Sequence, residues 1–75
     1  MTLDEVKVGD TGRISGFGET DLPFRRKLLA MGLTPGTEFT VRRVAPLGDP
    51  IELNVRGFQL SMRRKEVATV EVKLS

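Results

Sequence analysis

Apolar residues in this chain come in short runs that alternate with polar ones and break at glycine or proline, which predicts a small all-β protein interrupted once. The clearest stretch is residues 51–62. Ile51, Leu53 and Val55 alternate with Glu52, Asn54 and Arg56, and then Phe58, Leu60 and Met62 alternate with Gln59 and Ser61. A two-residue Arg56-Gly57 turn pairs 55 with 58, 53 with 60 and 51 with 62, so all six apolar side chains are expected on one face. Upstream, a glycine-rich strand is expected from about Thr11 to Phe17, with Val6 to Asp10 leading into it as a short strand or turn. Another strand runs from about Glu38 to Ala45, with a bulge hinted at Arg42-Arg43. After a helical turn at Arg63 to Glu66, a last strand from Thr69 to Leu74 should turn Val70, Val72 and Leu74 inward. Five curved strands sharing one core close best as a small barrel.

The interruption is helical. Thr20 or Asp21 can cap a helix, Pro23 suits its first turn and Gly32 suits the left-handed residue beyond its end, so residues 22–31 read as about three turns. At about 100° per residue, Phe24, Leu28 and Met31 share one side, while Leu22, Arg25, Arg26 and Leu29 share the other. The first stripe faces the core. The second is an apolar and basic strip facing away from it, which either meets a partner or tucks Leu29 under Leu33 and the barrel rim. Thr34-Pro35-Gly36-Thr37 then has proline and glycine at the centre of a type II turn.

Composition narrows the function sharply. The 75 residues include no histidine, cysteine, tryptophan or tyrosine, which removes thiolate and imidazole chemistry, disulfides and any Cys/His zinc site. A chain of this size holds one small core and no deep substrate cavity. Serines and threonines are present, but none lies in a G-x-S-x-G or S-x-x-K setting, so no enzyme is expected. Gly16-Phe17-Gly18 lacks the third glycine of a dinucleotide fingerprint and reads as a curved strand. Carboxylate pairs such as Glu19 with Asp21, or Asp49 with Glu52, suit hard cations only weakly and read as surface charge.

Net charge is +2, unevenly spread: residues 1–21 hold two basic and five acidic groups (−3), leaving +5 for residues 22–75. Eight of the twelve basic residues are arginine, with adjacent pairs at 25/26, 42/43 and 63/64. A single-stranded nucleic-acid binder would interleave such pairs with exposed aromatics, and this chain has only four phenylalanines. A surface for another protein suits the residues better. Its expected elements are Leu22, Arg25, Arg26 and Leu29 on the helix, and Pro46, Leu47, Gly48 and Asp49 in the Ala45–Pro50 loop, where two prolines lower the entropy lost on docking. No apolar run reaches the roughly 20 residues of a membrane helix and no secretory signal is visible, so the chain is expected to be cytoplasmic.

Three blocks, Arg25-Arg26-Lys27-Leu28-Leu29-Ala30-Met31-Gly32-Leu33-Thr34-Pro35-Gly36, Val44-Ala45-Pro46-Leu47-Gly48-Asp49-Pro50-Ile51 and Leu60-Ser61-Met62-Arg63, resemble the signature of the FeoA family, small cytosolic components of bacterial ferrous iron transport. The resemblance runs through essentially the whole chain in order. It implies an SH3-like β-barrel with a helical insertion and a partnership with FeoB, a membrane ferrous transporter with a cytosolic GTPase domain, and in some systems with FeoC. Toward such a GTPase, Arg25 or Arg26 would be the nearest arginine-finger candidates. A similar domain ends some metal-dependent repressors; here Met1 opens the domain with no DNA-binding helices before it, so a single free-standing domain over 1–75 is expected. No cofactor is expected, and the membrane is reached only through the partner. The alternatives are an RNA-binding SH3-like barrel and a direct transition-metal-binding protein.

Overall fold

The computed structural model describes residues 1–75. Five strands, β1 (Thr11–Phe17), β2 (Glu38–Val44), β3 (Ile51–Val55), β4 (Phe58–Met62) and β5 (Val70–Leu74), form one antiparallel sheet in the order β4-β3-β2-β1-β5. It wraps around a single cluster of 14 buried apolar residues drawn from every strand. The wrap is an incomplete barrel, since β4 and β5 are its two margins. Helix α1 (Leu22–Ala30) interrupts β1 and β2, and the short α2 (Arg64–Val67) joins β4 to β5.

The β3–β4 register is the expected one: Val55 faces Phe58, Leu53 faces Leu60 and Ile51 faces Met62. Arg56 (φ 53°) and Gly57 (φ 82°) both take the left-handed conformation, so the connection is the two-residue turn whose twist matches that of the strands. The ladder between β2 and β3 slips between Val41 and Arg43, which places the anticipated bulge at Arg42. A second slip, between Ile14 and Gly16 of β1, bends that strand against β5.

Two residues expected inside are not. Phe58 is 73% exposed and Leu74 41% exposed. Pairing fixes the face a side chain points to, but cover comes from a neighbour beyond it. Phe58 lies on a marginal strand at the hairpin tip, and Leu74 sits opposite Gly12, which has no side chain to lie against it. The segment before β1 also differs from a strand: Leu3–Glu5 is a 3₁₀ turn, with the Glu5 carboxylate accepting the Thr2 N–H at 2.8 Å. Residues 6–10 follow as a turn that buries Val6 and leaves Val8 exposed.

A candidate docking surface

Helix α1 is defined at both ends by local chemistry. Asp21 Oδ1 accepts the Phe24 N–H at 2.8 Å, which satisfies one free amide of the first turn. At the other end Gly32 (φ 93°) carries the chain through the left-handed region. The Leu33 N–H then returns to the Leu28 carbonyl at 3.1 Å and the Gly32 N–H to that of Leu29 at 3.0 Å, a Schellman closure with buried Leu28 and Leu33 as its apolar pair. Leu28 is the only fully buried residue of the helix, flanked by half-buried Phe24 and Met31. The core stripe is therefore as expected, and narrow.

The opposite strip is open. Leu22 is 55% and Leu29 37% exposed, and Arg26 is exposed and makes no ion pair or hydrogen bond through its side chain. Arg25 is different: its guanidinium lies over the Phe17 ring, 5.8 Å from the centroid, and its buried Nε has no hydrogen-bond partner. Part of Arg25 thus covers the β1 end. Between the two candidates for reaching a partner's charge, Arg26 is the free one.

The Ala45–Pro50 loop is held rigidly while its tip is bare. Asp49 Oδ1 accepts the Arg64 backbone N–H at 2.8 Å, the Gly48 carbonyl accepts Arg64 Nε at 2.8 Å, and Arg64 Nη1 donates to the Asp4 carbonyl. One arginine ties the loop to α2 and to the N-terminal turn. Leu47, at the tip, is 96% exposed. No hydrogen bond or ion pair joins this loop to the helix strip. The loop is bonded to Arg64, which in turn reaches Asp4, and α2 meets α1 through Lys27 Nζ and Glu66 Oε2 at 3.3 Å. Lys27 lies roughly 140° around the helix from Leu22, so α2 adjoins the flank turned away from Leu22 and Leu29, and the loop is bonded to α2.

Glu66 sets the position of α2. Its carboxylate accepts the Arg63 N–H at 2.8 Å; that bond, with Lys27 adding to it, holds its pKa below the ordinary value of 4.5 despite partial burial. A carboxyl depressed in the folded chain stabilises the fold above its unfolded value, and the contribution is lost as pH falls through the lower folded value. Glu66→Gln is accordingly expected to be less stable than the parent at pH 7, with the gap narrowing below about pH 4.5. Thermal melts of both proteins across that range test this, and a gap independent of pH would show that charge is not the cause.

A groove of about 470 Å³ is missing from the sequence reading. Ala30, Met31 and Gly32 form one wall and Val55, Phe58 and Leu60 the other, with Arg56 and Gln59 at the rim. Alternation in β4 made Phe58 and Leu60 look like core; the strand's marginal position, which only topology reveals, leaves Phe58 exposed while Leu60 packs half-buried against the core. Three of the four carboxylates considered for a cation are occupied elsewhere. Asp21 caps α1, Asp49 holds Arg64, and Glu52 pairs with Arg43 at 3.6 Å. No three metal-ligating side chains converge, so the donor set does not fit a resident transition metal. Phe58 is the one exposed phenylalanine of the four, too few for a base-stacking platform.

The FeoA domain family matches residues 1–74. The chain belongs to the FeoA family. This FeoA domain is 36% identical over 77 residues to a fusion of Fe(2+) transport protein A with the Fe(2+) transporter FeoB from Porphyromonas gingivalis; the match takes in 99% of this chain and 9% of that protein. Its fold is similar to the solution structure of the FeoA protein from Chlorobium tepidum, with a TM-score of 0.88 and 40% identity over 99% of this chain and 70% of that one. It is also similar to a zinc complex of Stenotrophomonas maltophilia FeoA, described as a prokaryotic SH3 domain protein (TM-score 0.84, 22% identity, 97% of this chain and 89% of that one). At that identity the likeness speaks for the fold alone. The anticipated SH3-like barrel with one helical insertion is the architecture of this FeoA domain.

Proposed function

We propose that this FeoA domain is an accessory component of ferrous iron uptake that acts by docking on a FeoB-like membrane GTPase transporter from the cytoplasmic side. The observation that carries the proposal is the P. gingivalis relative, in which a segment similar to nearly all of this chain shares one polypeptide with a FeoB transporter. Covalent linkage raises the effective concentration of two modules that must meet, so fusion in one organism supports association in another. The composition agrees. A barrel without histidine or cysteine, and with most of its carboxylates bonded within the chain, acts by presenting shape and charge. No helix is long and apolar enough to cross a membrane, so the transporter would supply the attachment.

Leu29 and Leu47 are the expected apolar contacts, and Arg26 with the outer part of Arg25 the expected charges. FeoC is a further expected partner where the system has one. A folded Leu29→Glu, Leu47→Asp double variant should associate with the transporter about tenfold more weakly or worse, read by crosslinking in cells and by pull-down from detergent. Undiminished association would remove these two residues from the interface. GTP turnover by the transporter, measured with and without the chain and then with Arg26→Ala, separates regulation of the nucleotide cycle from docking alone.

A further inference from the structure

The two margins of the sheet are finished differently. Along β5, the N-terminal segment covers the open side: Thr2 bridges Glu71, and the Val72 N–H donates to the Met1 carbonyl at 2.9 Å. Two of the three exposed positions of β5, Glu71 and Lys73, are charged. Such cover and charge are the usual means of keeping a marginal strand from pairing with another chain. The β4 margin has neither.

In β4, the pairs 55/58, 53/60 and 51/62 close the ladder outward from a two-residue turn, so residues 58, 60 and 62 direct their backbone groups at β3. Gln59 and Ser61 direct theirs the other way. Their N–H and C=O groups make no bond within the chain, and both residues are exposed. The strand reads Phe-Gln-Leu-Ser-Met, with no charge and no proline. Beside it lies the groove walled by Met31, Phe58 and Leu60. Four aligned, unpaired backbone groups next to an apolar groove are the two halves of a strand-addition site: the main chain supplies affinity and the groove selects alternate side chains.

We infer that β4 accepts an extended segment of the transporter as a sixth strand, with apolar residues at alternate positions and carboxylates at its ends. This rests on the docking function proposed above and adds β4 to its surface. The charge requirement comes from Arg56 and Arg63, which bracket the strand. Arg56 has no carboxylate partner, and Arg63 has only a long 3.7 Å contact to Asp49. The same pair argues against a second copy of this chain. Antiparallel pairing of β4 with itself, centred on Leu60, satisfies Gln59 and Ser61 but sets Arg63 opposite Gly57, beside Arg56 of the other copy, at both ends of the pairing, and like charges gathered there oppose it.

The test uses the full chain and the detergent-solubilised transporter. Proline is tolerated where a marginal N–H faces solvent, so Ser61→Pro removes one outward donor and leaves the β3 ladder intact, while Ser61→Ala keeps the donor. Binding of Ser61→Ala within twofold of the parent, with Ser61→Pro tenfold weaker or worse, is expected. In the parent chain, amide hydrogen exchange at Gln59 and Ser61 should slow at least tenfold when the transporter is added, a readout that does not depend on how any variant folds. Association of the parent with unchanged exchange at both amides overturns strand addition and leaves docking standing. No association of the parent overturns both. Concentration-dependent dimerisation that Ser61→Pro abolishes would make a second copy the occupant and overturn the assignment to the transporter.

Discussion

Leu28→Ala is expected to lower the unfolding free energy by about 3 kcal/mol, the cost of removing a fully buried leucine with partial collapse of the space left behind. Leu28 is the only side chain that α1 buries completely, and it packs in the main cluster beside Leu33. The remaining attachments are half-buried Phe24 and Met31 and the Lys27–Glu66 pair, whose lysine is well exposed, worth at most about 1 kcal/mol. Loss of Leu28 should therefore loosen the helix before the sheet. Urea unfolding gives the magnitude, and amide exchange should show α1 opening at lower free energy than β2 and β3. A uniform change across all elements would mean that helix and sheet unfold only together. Since Leu22, Arg26 and Leu29 ride on this helix, the variant should also bind the transporter more weakly while still folded.

Gly12→Ala should be equally damaging, by about 3 kcal/mol, for the opposite reason: there is no room. Gly12 sits in β1 between β2 and β5, and a methyl group there would collide with the backbone carbonyl of Lys73 and crowd the Leu74 backbone. A main chain held in a ladder cannot swing aside as a side chain would. For 75 residues a total stability of roughly 4–11 kcal/mol is ordinary, so either substitution consumes a large share. Gly16→Ala is the internal control, since nothing lies within 4 Å of the added atom. Equal melting temperatures for Gly12→Ala and Gly16→Ala would show that proximity to Lys73 is not what matters.

The hairpin was legible in the sequence because alternation in β3 and β4 and a two-residue turn independently demand one register. The helix was legible because Asp21, Pro23 and Gly32 mark its ends in ways that need no tertiary information. Neither signal says which strands lie at the margins, and that is why Phe58 and Leu74 were expected inside. The 3₁₀ turn at Leu3–Glu5 is too short for periodicity, although Thr2 followed three residues later by Glu5 is a capping pattern that could have exposed it. Within the candidate surface, exposure of Leu22 and Leu29 followed from the helical wheel. The tie of the loop to α2 did not, because it depends on Arg64 reaching residues 15, 16 and 60 positions away, contacts no local pattern encodes.

Arg64 also imposes an order on how the molecule is completed. The knot it ties gathers a segment near the start of the chain, a loop past its middle and a turn near its close, while β1 awaits β5 for its second neighbour. During synthesis Leu47 emerges well before the residue that steadies it. Only a chain that has reached Arg64 therefore holds that leucine out on a stiff stalk, and a copy cut short of it leaves the loop slack.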